Sequence, residues 1–149
     1  STPIKSSAAS DVYKRQATDM VIAQIEEGKM EIGMGQHGEG GGGLTEMKTA
    51  DETAAIMIDA LLRDLDIKKG EKLLVIVNGV GATTLMEQLI VFRKCCHYLA
   101  EKGIEVVANI VGEVLTVQEM AGFQLFIARM DDELLKYWNA PCRTPYYKN

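Results

Sequence analysis

The stretch Gly33-Met34-Gly35-Gln36-His37-Gly38-Glu39-Gly40 gathers the residue types best suited to chemistry in this chain. A neutral imidazole is a nucleophile and a proton carrier near pH 7, because its unperturbed pKa is about 6.5. Glycines on both sides of His37 remove bulk, so a small ligand or a backbone segment can come close. Glu39, two residues on, can orient the ring or stabilise its charge. The competing reading is a surface loop with an incidental histidine, and spacing alone does not say which reaction His37 would serve. The pattern is not the dinucleotide fingerprint, because its glycines neither end a long strand nor open an immediate helix.

Other groups admit simpler structural readings. Asn78-Gly79-Val80-Gly81-Ala82-Thr83-Thr84 joins a strand to a helix N-terminus, a place where backbone N–H groups can hold phosphate. No lysine follows its glycines, so it is no Walker A loop, and a tight turn needing positive φ explains it as well. His97 falls in a helical stretch between Lys94 and Tyr98 and reads as a half-buried structural residue. Cys95, Cys96 and Cys142 are odd in number and lack metal spacing, and only two histidines are present, so neither a zinc site nor a disulfide framework is expected. Asp131-Asp132-Glu133 could hold a cation, but compensation of a helix dipole is the simpler account. The scattered methionines read as core filler.

The elements that must position these residues are legible in outline. Short apolar runs at Met20 to Ile25 and Met30 to Met34 flank Glu26-Glu27-Gly28-Lys29, which suggests a turn or hairpin. Seven glycines between Gly33 and Gly43 leave no regular element there. Thr49 followed by Glu52 fits a capping box, and a helical stripe runs on through Leu65 to a stop near Asp66. Leu73 to Val77 is a buried strand, with a turn at Asn78 to Gly81. Thr84 and Glu87 form a second capping box, followed by a stripe of Leu85, Leu89, Phe92, Cys96 and Leu99 and a stop at Gly103. Strands follow at Ile104 to Val111 and Phe123 to Met130, with Val114 to Val117 ambiguous. A last helix spans Glu133 to Trp138 before Pro141 and Pro145 break the tail. The alternation implies an α/β domain on a mixed β-sheet, with no internal repeat.

Composition bounds the function. The chain has 149 residues, 47% of them apolar and 25% charged, and a net charge of −5. One real core fits that length. Acidity excludes a generic nucleic-acid or anionic-membrane binder, and no apolar run approaches the ~20 residues of a membrane helix. With no signal-peptide pattern and no disulfide framework, the expected compartment is the cytoplasm. Residues 1–16 have no period and little apolar content. Asp11-Val12-Tyr13-Lys14-Arg15-Gln16 matches the translation of a transposase end sequence used in sequencing adaptors. Residues 1–16 are therefore read as a non-native leader, the competing reading being a natural one, and residues 17–149 as the domain proper, cut from something longer.

Met30-Glu31-Ile32-Gly33-Met34-Gly35-Gln36-His37-Gly38-Glu39 resembles the substrate-histidine segment of the dihydroxyacetone kinase family's substrate-binding subunit. Three later stretches agree in order: Val75 to Glu87, Met120 to Leu125, and Asp131 to Leu135 with Ala140-Pro141 and Thr144-Pro145. The resemblance implies the two-layer C-terminal domain of that subunit, with the N-terminal domain missing. It implies that His37 attacks the carbonyl of dihydroxyacetone to form a covalent hemiaminal, excluding polyols such as glycerol. It implies that this domain holds no cofactor. The phosphoryl donor, ATP or an ADP/phosphoenolpyruvate relay of the phosphotransferase system, would sit on a nucleotide-binding subunit or a fused domain. A homodimer is implied for the full-length subunit. Gln36 stands where family members carry an apolar residue, and Gly40 to Gly43 replace a segment that often includes proline, so a different small carbonyl sugar fits too. The family's acid–base aspartate lies in the N-terminal domain, so the isolated chain is expected to be inactive or nearly so. The alternatives are a non-catalytic sugar-binding regulatory subunit and a lipid-binding protein of related architecture.

Overall fold

A computed structural model describes residues 6–8, 12–13, 25–33, 43–115 and 120–148. Strands β1 (Ser6–Ala8) and β2 (Val12–Tyr13) precede β3 (Lys29–Glu31) and β4 (Leu44–Glu46). Helix α1 (Ala50–Leu65), β5 (Lys72–Gly79), α2 (Leu85–Glu101) and β6 (Glu105–Gly112) follow. Strands β7 (Met120–Ala121) and β8 (Phe123–Arg129) and helix α3 (Asp132–Trp138) complete the chain. The main sheet has the order β1-β8-β5-β6, with β5 parallel to β6 and β8 antiparallel to both β5 and β1. The expected mixed-sheet α/β domain is therefore present. Residues 1–16 were left out of the expected fold, yet Ser6–Ala8 pairs with Gln124–Phe126 of β8. Strand pairing runs through backbone groups, so the sequence of β1 gave little warning of it.

The β5-α2-β6 unit follows from the apolar run at Leu73–Val77, which is buried on both sides as a parallel strand requires. Leu73, Val75 and Val77 of β5 and Phe123, Leu125 and Ile127 of β8 turn one way, against Met57, Ile58 and Leu61 of α1 and Val91, Cys95 and Leu99 of α2. Alternation puts Leu74 and Ala108 on the opposite face, packed with Met130, Leu135 and Trp138. The helices α1 and α2 are thus the second layer, and α3 covers part of the other face.

Helix ends are set locally. Thr49 accepts from the N–H of Glu52, and Glu52 accepts from the N–H of Thr49, a closed capping box. Thr84 and Glu87 repeat it on α2. Gly103 ends α2 in a Schellman motif: its N–H bonds to the carbonyl of Ala100, and the N–H of Ile104 to that of Leu99. Asp66 ends α1 in the left-handed region, with φ of 54°. Arg129 of β8 donates to the carbonyls of Leu65 and Asp66 and pairs with Glu71, so the exposed end of α1 is satisfied from another element. Burial alone would raise the Glu71 carboxyl, but the Arg129 guanidinium and the Lys68 N–H outweigh it and hold the group below the usual carboxylate range.

The Thr84 hydroxyl and N–H likewise hold Glu87 below the ordinary glutamate pKa. A group depressed in the folded state stabilises above its unfolded pKa and ceases to do so as pH falls through the folded one. Thr84→Ala should therefore cost about 1 kcal/mol at neutral pH, and the gap to the parent protein should narrow as pH drops through the range in which Glu87 takes up its proton. Denaturant titrations at pH 7 and pH 3 measure it; an equal gap at both would show that Glu87 plays no part.

Two expectations about α2 are corrected. Its buried face is Gln88, Val91, Cys95 and Leu99, whereas Leu85 and Leu89 are exposed and Phe92 and Cys96 half-buried. A stripe drawn through apolar residues alone omits Gln88 and so comes out rotated about the helix axis. His97 is exposed, not half-buried, because it lies on the side of α2 away from that face. Strand β5 also runs through Asn78 and Gly79, so the turn begins later than expected.

Candidate active site

His37, with Gln36 and Glu39, lies outside the described residues, and so does most of the glycine run. What is described is its frame. The hairpin partner of β3 is β4, with Lys29 opposite Glu46, Met30 opposite Thr45 and Glu31 opposite Leu44. The turn anticipated at Glu26 to Lys29 is present, closed by the Lys29 N–H on the carbonyl of Glu26. The strand that pairs with β3, however, lies on the far side of the glycine run. Long-range pairing of this kind leaves no local trace in a sequence.

The stem of this hairpin is fastened to the core. Met30 is 1% exposed. Its sulfur accepts from the N–H of Lys48 at 3.3 Å, and the hydroxyl of buried Thr53 in the first turn of α1 lies 4.0 Å away. Lys29 and Glu46 form an ion pair across the rungs, and the N–H of Met47 bonds to the carbonyl of Gly28. Gly33 and Gly43 take φ of 88° and 93° at the two ends of the excursion, a region that L side chains rarely adopt. The sequence thus delivers His37 between two anchored strands immediately before α1.

The turn after β5 is at the carboxyl end of the parallel pair, where open α/β sheets place ligands. Its helix N-terminus is already filled: Thr84 and the Glu87 carboxylate occupy the capping positions. The tight turn expected from sequence is realised only past the end of β5, with Gly81 at φ of 115°. Reasoning from sequence missed the set of amides beside it. Asn78 is 1% exposed and uses its whole amide. Nδ2 donates to the Leu115 carbonyl at 2.5 Å and to Gln124 Oε1 at 2.9 Å, and Oδ1 accepts from the N–H groups of Val114 and Leu115. Gln88 is equally buried, and its Nε2 donates to the Thr83 carbonyl and to Glu113 Oε1, both at 2.9 Å. A Cβ on Gly79 would lie 1.9 Å from Glu113 Oε1 and 2.1 Å from Gln88 Nε2. Three amides interrupting apolar runs, at Asn78, Gln88 and Gln124, were the signal available for this clamp.

The remaining candidates are structural. Burial and the adjacent Cys96 push the Cys95 thiol up to about 12, so it stays protonated. All three cysteines are free, and among the described residues no group of three or more His, Cys, Asp or Glu side chains is placed to hold a metal. Asp131 caps α3 by accepting from the N–H of Leu134, and Asp132 pairs with Lys72. Among the described residues, no helix is long and apolar enough to cross a membrane.

Comparison with known proteins places this frame in context. The Dak1 domain profile matches residues 6–146. The chain is 36% identical over 131 residues to the dihydroxyacetone-binding subunit of PTS-dependent dihydroxyacetone kinase 2 from Listeria innocua, a match covering 88% of this chain and 40% of that protein. It is 37% identical over 130 residues to D-erythrulose kinase from Mycolicibacterium smegmatis, covering 87% of this chain and 22% of that one. Among solved structures, the dihydroxyacetone kinase operon co-activator Dha-DhaQ superposes with a TM-score of 0.84 at 23% identity, over 93% of this chain and 43% of that one. The dihydroxyacetone kinase from C. freundii superposes at 0.65 and 24% identity, over 89% of this chain and 24% of that one. At such identities these two likenesses are of fold. The chain spans two-fifths or less of the length of these curated relatives.

Proposed function

The chain belongs to the Dak1 domain family, and from that premise we propose that it is the carbonyl-capturing C-terminal domain of a dihydroxyacetone (glycerone) kinase. His37 is its nucleophile. The lone pair of one imidazole nitrogen attacks the carbonyl carbon of a short ketose, and the π pair moves onto oxygen. The proton displaced from the ring ends on that oxygen, giving a hemiaminal joined by one C–N bond. A polyol offers no such carbon, so glycerol is rejected. The bond holds the substrate's terminal hydroxyl in place for phosphoryl transfer, which is a positioning effect.

The observation that carries this reading is the hairpin: the segment with His37 runs between β3 and β4, whose stem is anchored by buried Met30. Dihydroxyacetone and four-carbon erythrulose are the substrates favoured, since relatives of comparable identity are named for each. The phosphoryl donor, ATP or a phosphoenolpyruvate-linked ADP relay, sits on a nucleotide-binding subunit or domain. The acid–base group comes from the part of the longer relatives that this chain does not span, so the chain alone captures substrate without turning it over.

Carbon-13 NMR with dihydroxyacetone labelled at C2 tests this. The parent chain should move the carbonyl resonance to that of a carbon bearing nitrogen and hydroxyl, and His37→Asn should abolish the shifted signal. An unshifted carbonyl with the parent chain would overturn the reading. A second reading, a sugar-binding regulator, is favoured by the close superposition on the operon co-activator. Adding a nucleotide-binding subunit and donor to the full-length protein separates the two: donor consumption marks the kinase, and an adduct without transfer marks the regulator.

A further inference from the structure

Asn78 followed by Gly79 is the pairing at which a peptide chain most readily attacks itself. The asparagines of this chain stand before Gly79, Ile110 and Ala140 and at Asn149, so the pairing with glycine occurs at one place. In such a pair the backbone nitrogen of the glycine gives up its proton to a base and adds to the side-chain carbonyl carbon of the asparagine. Without a Cβ on the second residue, that approach is open. The C–N bond to Nδ2 then breaks, ammonia leaves with the proton, and a five-membered succinimide is closed. Water opens the ring at one carbonyl or the other, giving aspartate or isoaspartate.

The fold withholds what this reaction needs. Asn78 lies inside β5, paired with Gly112 of β6 on one side and Gln124 of β8 on the other. Ring closure requires its backbone to leave the extended conformation of a paired strand. Its amide is tied to the Leu115 carbonyl, Gln124 and the N–H groups of Val114 and Leu115, so the carbonyl carbon cannot rotate towards the Gly79 nitrogen. Gly79 is hemmed in as well, by the Gln88 amide and the Glu113 carboxylate. We infer that Asn78 is a modification site closed by the fold, attacked by Gly79 and then by water whenever β5 is released. The rate of loss follows the population of opened molecules. The products cannot rebuild the clamp. Aspartate has no N–H to offer Leu115 or Gln124. Isoaspartate routes the main chain through the former side chain, and the extra methylene breaks register with both neighbouring strands. One covalent event thus makes unfolding irreversible, and the chain records the time it has spent unfolded.

Peptide mapping by mass spectrometry tests this on the 149-residue chain held at pH 8 in buffer and in unfolding concentrations of urea. The gain of one dalton at Asn78 should be at least tenfold faster in urea, with Asn109 and Asn139 lagging far behind. Leu61→Ala removes a buried side chain from α1 without touching Asn78, and should speed the conversion at least tenfold in plain buffer. Partly converted chains are then diluted out of urea and the folded fraction is separated by size. That fraction should be depleted at least tenfold in converted chains relative to the unfolded one. Equal rates in buffer and urea would overturn the inference, as would converted chains that refold in proportion to their abundance.

Discussion

Asn78→Ala should lower the stability of this domain by about 3 kcal/mol, the largest loss expected from removing one polar side chain. The amide makes four hydrogen bonds at the carboxyl end of β5, each worth about 1 kcal/mol net. The N–H groups of Val114 and Leu115 lie in an exposed segment, so water recovers part of their loss. The Gln124 amide is buried, and the donor to its Oε1 is not replaced. At roughly 2–4 °C per kcal/mol for a chain of this size, the thermal midpoint should fall by about 6–12 °C. Asn78→Asp should be worse, since a carboxylate cannot donate to the Leu115 carbonyl or to Gln124 and would bring a charge into a buried position. Calorimetric melts of both variants decide it. A loss under 1 kcal/mol for alanine would mean that residues 113–115 hold their course without the clamp.

Gly79→Ala should cost about 2–3 kcal/mol, for a reason that can be isolated. The added methyl falls inside the space of the Glu113 carboxylate and the Gln88 amide. Glu113 is exposed and can swing away at little cost. Gln88 is walled in, so moving it breaks its bonds to Thr83 and Glu113 and strands a buried amide. A double-mutant cycle separates the terms. In a Gln88→Ala background the same glycine substitution should cost less than half as much, giving a coupling energy above 1 kcal/mol. Additive losses would show that the Glu113 carboxylate, not the Gln88 amide, sets the requirement for glycine.

These two sites also show where sequence reasoning ran out. Both capping boxes, the Gly103 stop and the Leu73–Val77 strand were readable because each depends on neighbours within a turn or two. Gln88 was passed over because Glu113, which accepts from its amide, sits 25 residues away, just past the end of β6. Asn78 looked like a turn residue because asparagine before glycine usually is one, and the strand positions that pair with it, Gly112 of β6 and Gln124 of β8, lie far along the chain. The pairing of β3 with β4 and of β1 with β8 is equally non-local. The chemistry proposed for His37 rests on residue type and family resemblance alone, since periodicity carries no information across a glycine run.

The β3–β4 stem has an implication for how such domains diversify. Twelve residues, 32–43, separate the last paired position of one strand from the first of the other. Closing a chain excursion costs entropy only as the logarithm of its length, about 0.6 kcal/mol for each doubling. With both feet pinned by three rungs and a core methionine, insertions or replacements inside the excursion barely touch the α/β layers. The sequence between the two feet can then change in length and composition at little thermodynamic penalty, while the paired strands and the layers behind them keep their place.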